Sequence, residues 1–273
     1  MDLEHLSKIA IKAALAAGEV IQKYMNDEVV VHKKQVGNTY ASQVVTAVDC
    51  ECERVILSYL KPTCTKFDIA LLSEETEDDG SRFEKDFFWC VDPMDGTLAF
   101  INKHPGFSVA IALVAKDGTP QIGVVFDPSK DNLYYAIKDK GTFKNNKPWE
   151  INVLNNYLTY VTDKKLVNTP CKEEIHKIIE QKISEYNLQS YQEISGAGAV
   201  LNAILVAENR PAILLKIPKK ENGGGSIWDF AATACIFKEL GLVATNFDGE
   251  KLDLNKVDNT FMNHQGVFFE SLS

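Results

Sequence analysis

The stretch Trp89-Cys90-Val91-Asp92-Pro93-Met94-Asp95-Gly96-Thr97 constrains this chain more than any other, because an apolar run stops abruptly at two carboxylates three positions apart. Asp-Pro and Asp-Gly are ordinary turn dipeptides. Pro presets φ, Gly supplies positive φ, and Asp bonds back to its own backbone. A plain turn is therefore one reading. The other is chemical: carboxylates raised on a turn at the end of an apolar segment are how a protein holds a hard cation beside a phosphate.

Composition narrows the partners. With 273 residues, 45% of them apolar, the chain suffices for one large domain or two intimately packed ones. A net charge of -9 leaves no basic stripe to release counterions, which argues against a nucleic acid polymer. An anionic substrate then needs a local positive centre, and bound metal ions supply one. The cysteines Cys50, Cys52, Cys64, Cys90, Cys171 and Cys235 form no Cys-x-x-Cys pair, so free thiols in a reducing compartment are expected. Met1-Asp2-Leu3-Glu4-His5 has no basic segment followed by an apolar core, and no run reaches 18 apolar residues. The expectation is a cytoplasmic protein with no membrane partner.

Periodicity gives the organisation. Leu6, Ile9, Ala10, Ala13, Ala17, Val20, Ile21 and Tyr24 form the stripe of an opening helix. Thr46-Ala47-Val48-Asp49 resembles a capping box that opens a second helix, which Pro62 should end. Ile69 to Leu72 is a short buried strand. From Phe107 the pattern becomes an antiparallel meander: Ser108 to Ala115, Gln121 to Phe126, Leu133 to Ile137 and Gly141 to Phe143. Beyond Pro148 helices are expected at Glu173 to Glu185, Ala199 to Glu208 and Asp229 to Leu240, with a strand at Ala212 to Ile217. The class is α/β (α+β). Two subdomains sharing one interface are expected, residues 1–150 with the antiparallel sheet and 151–273 with α/β alternation.

Four acidic positions end or open apolar segments: Asp49 at the second helix, Glu74 after the Ile69 strand, the Asp92/Asp95 pair, and Asp229 before the helix that starts at Phe230. Each has a bland alternative, as an N-cap, a capping box or a solvated turn. If they converge, electrostatics forces the next step. Two unit charges ~4 Å apart repel by ~4 kcal/mol at an effective dielectric near 20, so unpartnered carboxylates protonate. Divalent cations remove the conflict, and oxygen-only ligands favour Mg2+ or Mn2+ over zinc. Glu75-x-Glu77-x-Asp79-Gly80 imitates the start of a calcium loop, but Arg82 and Asp86 occupy the wrong positions; a mobile acidic surface loop is expected instead. A dehalogenase-type phosphatase also carries Asp-Gly-Thr, but it separates its aspartates by one residue, where Asp92 and Asp95 are separated by two.

Taken in order, Ser73-Glu74-Glu75-Thr76, Asp92-Pro93-Met94-Asp95-Gly96-Thr97 and Trp228-Asp229-Phe230-Ala231-Ala232 resemble the inositol monophosphatase superfamily. The likeness runs nearly the full length and includes Thr46 to Asp49, Gly123 to Pro128 and Lys238-Glu239-Leu240-Gly241. It implies a layered αβαβα sandwich and a lithium-sensitive, often dimeric Mg2+-dependent phosphomonoesterase. It further implies that Glu74, Asp92, the Met94 carbonyl, Asp95 and Asp229 hold two or three Mg2+ ions, with Mn2+ as a substitute. Thr97 and Asp49 would activate water, with Glu74 beside them in the catalytic set. Substrate contacts would come from Asp95, Gly96, Thr97, Gly198, Ala199 and Asp229. The partner implied is a small phosphorylated metabolite.

The chain departs from the family's branches at substrate-facing positions. Leu98-Ala99 follows Asp-Gly-Thr, where the inositol branch has Thr and Asn and the bisphosphate-nucleotidase branch has Lys and Glu. The acidic ligand for a substrate hydroxyl, expected seven residues before Asp229, falls on Asn222 beside Glu221. Lys216-Ile217-Pro218-Lys219-Lys220 is read as a solvated strand end, with the alternative that it meets a second phosphate. The leading expectation is a polyol or sugar phosphatase. The alternatives are a 3'(2'),5'-bisphosphate nucleotidase, a histidinol-phosphate or fructose-bisphosphate phosphatase, and a non-catalytic metal- or phosphate-binding module.

Overall fold

A computed structural model describes residues 1–25, 31–33, 44–151, 155–169 and 171–272. The chain runs α1 (Leu3–Tyr24), β1 (Val31–Lys33), β2 (Val44–Thr46), α2 (Ala47–Phe67), β3 (Ala70–Ser73), β4 (Phe87–Asp95), α3 (Thr97–Ile101), β5 (Ser108–Ala115), β6 (Pro120–Asp127), β7 (Asn132–Ile137), β8 (Gly141–Lys144) and β9 (Lys147–Pro148). It continues through β10 (Leu158–Thr162), α4 (Lys172–Glu185), β11 (Tyr191–Ser195), α5 (Ala199–Glu208), β12 (Ala212–Lys216), α6 (Ile227–Glu239), β13 (Val243–Thr245) and β14 (Val267–Ser271).

Three apolar clusters stack these elements into the expected αβαβα order. Strands β3 to β9 form a seven-stranded sheet in sequence order, and β11-β10-β12-β14-β13 form a five-stranded one. The outer helices α1 and α2 cover one face of the larger sheet through Leu6, Ala13, Ile21, Ile56, Trp89, Ile111 and Val124. Its other face shares a core with α5, α6 and the smaller sheet, through Phe88, Ala112, Val200, Ile204, Phe230, Phe237 and Phe269. Helix α4 closes the far side with Ile175 and Ile179 against Tyr160, Ile213 and Leu215. Helix α6 is buried between the two sheets, so its apolar residues run all round rather than in one stripe.

The meander β5 to β8 pairs antiparallel throughout, as alternation and turn chemistry require. Strand β3 lies parallel to β4 with Ser73 opposite Val91, which places Glu74 next to Asp92 at the strand ends. Close contact between layers depends on absent side chains. A Cβ on Gly123 of β6 would collide with the Ala232 carbonyl oxygen of α6, and one on Gly18 of α1 with the Phe126 ring.

Two expectations are corrected. Helix α2 does not end at Pro62 but continues to Phe67 with the proline inside. Thr63, one residue on, is buried and accepts a 2.8 Å hydrogen bond from Trp89 Nε1, and Leu60 is in the core. Packing on both sides of the proline outweighs the lost backbone hydrogen bond. The acidic stretch after Glu75 is tied down rather than mobile. Arg82, 1% exposed, donates to Asp78 Oδ2 at 2.8 Å, to Asn255 Oδ1 at 2.6 Å and to the Lys256 carbonyl at 2.9 Å. Helix α2 begins directly after Thr46, but the side chain of Thr46, half of the expected capping box, lies outside the described residues. Among the described residues no helix is long and apolar enough to cross a membrane, and the six cysteines are free thiols.

Candidate active site

A bulge in β4 creates the site. In an unbroken strand, residues three apart point to opposite faces. Here Asp92 stands opposite Ala110 and Asp95 opposite Ser108, so β4 takes three steps where β5 takes two. The extra residue falls at Pro93-Met94, where Pro93 has no N–H to lose, and it restores both aspartates to one side. Gly96 then turns the chain with φ +85°, and α3 follows. A Cβ at Gly96 would collide with the Gly106 carbonyl oxygen and lie 2.9 Å from Phe107 Cα, so only glycine fits.

Asp229 joins the pair from α6. One oxygen from each of Asp92, Asp95 and Asp229 lies within 4.8 Å of the others. Each of the last two is fixed by backbone donors at a helix start. Asp95 Oδ1 accepts from Ala199 N at 3.1 Å and Oδ2 from Val200 N at 2.8 Å, in the first turn of α5. Gly198, whose own N–H donates to the Gly106 carbonyl at 2.8 Å, must lack a Cβ because one would overlap the Asp95 carboxylate. Asp229 occupies the third position of α6, where its Oδ2 accepts from Ser226 N at 2.6 Å. Asp92 is 1% exposed, and its buried Oδ1 has no hydrogen-bond partner.

The charge state follows from this crowding. Burial, then Glu74, Asp95, Asp229 and Asp49, push Asp92 well above the ordinary carboxylate range. Burial and Asp229 raise Asp95 to about 8, against the opposing pull of the Val200 N–H and Lys216. Burial raises Asp229 as well, opposed by the Ser226 N–H and Lys216. Several carboxylates that cannot all ionise alone, one of them with a buried oxygen lacking a donor, fit a hard divalent cation and its oxygen-only coordination.

The other expected residues surround this cluster. Asp49, 4% exposed, stands in the first turn of α2 and interacts electrostatically with Asp92. Glu74 donates its N–H to the Val91 carbonyl at 3.2 Å. Met94 turns its carbonyl to the Thr97 hydroxyl, which donates to it at 3.2 Å. Glu221 and Asn222 are on the exposed stretch after β12, held where Asn263 Nδ2 donates to the Glu221 carbonyl at 2.8 Å.

One residue, Glu53, is missed by sequence reasoning, and one expectation, for Lys216, is corrected. Glu53, on α2 one turn after Asp49, accepts from Ser73 Oγ with one oxygen and from Thr76 Oγ1 at 3.0 Å with the other, which clamps both flanks of Glu74. The signal was its i+4 spacing from Asp49. Lys216, at the end of β12, is no solvated strand end: its side chain is 17% exposed and Nζ donates to Asp163 Oδ2 at 2.7 Å. Burial lowers its pKa, but Asp163, Asp229 and Asp95 outweigh that and raise it.

The chain is similar to known proteins along its length. A sequence profile described as "Inositol monophosphatase family" matches residues 2–271. An inositol-1-monophosphatase of Synechocystis sp. is 29% identical over 258 residues, covering 93% of this chain and 83% of its own length. Inositol monophosphatase 1 of Solanum lycopersicum is 30% identical over 283 residues, covering 99% and 95%. The crystal structure of CysQ from Bacteroides thetaiotaomicron, described as a bacterial member of the inositol monophosphatase family, superposes with a TM-score of 0.76 at 25% identity, covering 100% and 99%.

Two outcomes test the site. Burial and Asp229 hold the Asp95 carboxyl at about 8 in the folded protein, well above its ordinary 3.8, so between these values the native state binds more protons than the unfolded one. Stability of the metal-free protein should therefore fall as pH rises through that window, and saturating Mg2+, by replacing the protons, should flatten the slope; Tm measured across pH with chelator or Mg2+ checks this. Glu53→Ala should raise the Mg2+ concentration needed for half-maximal thermal stabilisation, with Glu53→Gln, which still bonds both hydroxyls, much closer to wild type.

Proposed function

The chain belongs to the inositol monophosphatase family, a family of phosphatases, and on that footing we propose that it is a cytosolic, Mg2+-dependent phosphomonoesterase acting on a small polyol or sugar phosphate. The observation that carries this reading is the meeting of Asp92, Asp95 and Asp229, with their oxygens within 4.8 Å. Free thiols suit a reducing compartment.

Glu74, Asp92, the Met94 carbonyl, Asp95 and Asp229 would hold two or three Mg2+ ions, or Mn2+ in their place. When bound, the ions neutralise the carboxylates, make a water acidic enough to attack phosphorus, and offset charge on the departing oxygen. The chain's own groups do the rest. Because Thr97 Oγ1 spends its hydrogen on the Met94 carbonyl, its lone pairs remain to accept from water and orient it. Asp49, buried in the first turn of α2, takes the proton. Backbone N–H groups of Gly96 and Thr97 precede the first intrahelical bonds, which run from Ala99 and Phe100 to the Gly96 carbonyl, and they bind the phosphate oxygens. Asp95, Gly198, Ala199 and Asp229 border the alcohol of the substrate, and Glu221 and Asn222 are left for its outer part.

Phosphate release from a panel of esters, with and without Mg2+, tests the reading. Mg2+-dependent release from sugar or polyol phosphates is expected. Release from adenosine 3',5'-bisphosphate alone would replace it with a nucleotidase, and no release from any ester would leave a non-catalytic binding module. In the same assay Thr97→Ala should lower kcat by roughly 10²-fold or more with little change in Mg2+ half-saturation, whereas Asp95→Asn should impair both.

A further inference from the structure

Two adjoining hollows open on the outer face of the helical layer, one of about 490 Å³ along α2 and one of about 440 Å³ between α1 and α2, and Ser58 and Pro62 line both. Asp49 stands in the first turn of the same helix, so at about 1.5 Å per residue Pro62 lies roughly 20 Å along α2 from the carboxylate cluster. The hollows are a surface separate from the hydrolytic site.

Their charge is the reverse of the chain's. The protein has 38 acidic against 29 basic residues, yet Arg54 and Lys61 line one hollow, His5, Lys12 and Lys66 line the other, and neither lining includes a carboxylate. From Arg54 to Phe67, α2 contains no acidic residue. Helix polarity accounts for Lys66, in the last turn. It does not account for Lys12, inside α1, or for Lys61, and among the described residues neither has an ion-pair partner.

The floor of the hollow between the helices is apolar. Ile9, Tyr59 and Phe67 supply it, with Tyr59 39% exposed. The Lys66 ammonium lies 4.9 Å over the Phe67 ring, which the His5 ring meets edge-on at 6.4 Å. Pro62 adds an acceptor: it has no N–H, so the carbonyl of exposed Ser58 receives no helical bond from its i+4 residue. That carbonyl lies where the two hollows meet.

These features discriminate among occupants. A small anion fills one hollow, whereas the pair runs from Arg54 to Phe67, roughly 20 Å of helix. A bilayer surface has no use for concavity, and the net charge of -9 repels a nucleic acid polymer. A peptide supplies carboxylates for the ammoniums, a side chain for the floor and an N–H for the Ser58 carbonyl.

We propose that this face of α1 and α2 docks an acidic segment of a partner protein, with one aromatic or aliphatic side chain seated against Ile9, Tyr59 and Phe67 and carboxylates paired with Lys12, Lys61 and Lys66. No residue of the hydrolytic site takes part, so the docking surface stands whether or not the phosphatase reading does.

Fluorescence anisotropy with the full chain and Mg2+ tests it, using labelled decapeptides of Glu, Asp and Gly that each carry one Trp, Phe or Leu. Saturable binding by at least one of them is expected, with a Kd on the order of 10–100 µM that weakens with added salt. Lys12→Glu with Lys61→Glu should weaken it roughly tenfold or more, and Tyr59→Ser should weaken it several-fold. Lys172→Glu with Lys177→Glu, a charge reversal on α4, should leave it unchanged. If the Lys12 and Lys61 double variant does not fold, Tyr59→Ser and the α4 variant decide alone. No saturable binding by any peptide would overturn the proposal. So would equal binding of a decapeptide without an apolar residue, displacement by inorganic phosphate, which would place the peptide at the carboxylate cluster, or indifference to the variants of the groove. Tighter binding of an oligothymidylate or of phosphatidylserine vesicles through the same lysines would put a nucleic acid or a membrane in the peptide's place. Salt-sensitive dimerisation lost in Lys12→Glu with Lys61→Glu would put a second copy of this chain there.

Discussion

Mutual repulsion among buried carboxylates is the constraint on which the rest of this structure depends. Asp92, Asp95 and Asp229 meet in a buried place where charge is costly; Asp95 and Asp229 raise the pKa of Asp92, and Asp229 raises that of Asp95. The chain meets this cost by fixing the carboxylates with groups that belong to regular structure: the first N–H groups of α5 for Asp95, the start of α6 for Asp229, and the Glu53 clamp around the Glu74 segment. Asp92 is left with a buried oxygen that no donor reaches. The arrangement is stable only with protons or cations in it, which is the property a hydrolytic metal site requires.

The layered sandwich is what allows such an assembly. Helix α6 lies between the two sheets, so its N-terminal end reaches the bulged end of β4 while its body is held by apolar contacts on all sides. Helix α5 starts at the same place, and the glycines at 96, 106 and 198 let three backbone segments approach closely enough for Asp95 to dock. A charged cluster assembled from separate elements therefore inherits its rigidity from the cores on either side.

Much of this was legible in the sequence, for identifiable reasons. The meander, the opening helix and helices α4 to α6 carry strong periodicity, and the carboxylates stand out because each interrupts an apolar segment. Strands β10, β11, β13 and β14 were not read. Strand β11 is a partly exposed edge, Tyr-Gln-Glu-Ile-Ser, with weak alternation, and β14 is set in place by pairing on both sides rather than by its own pattern. The continuation of α2 past Pro62 was hidden because the compensating contact, Trp89 with Thr63, is 26 residues distant. Lys216 was misjudged for a related reason: five residues of basic and turn character after a strand look solvated until Asp163, on a different strand end, is seen to hold the first of them. Spacing finds groups on one element; it does not find partners brought together by different ones.

Manganese anomalous scattering from crystals grown with Mn2+ tests the cluster most directly. Two or more peaks are predicted within coordination distance of Asp92, Asp95, Asp229 and Glu74. A folded protein with no peak among these carboxylates would contradict the metal site from which the proposed chemistry follows.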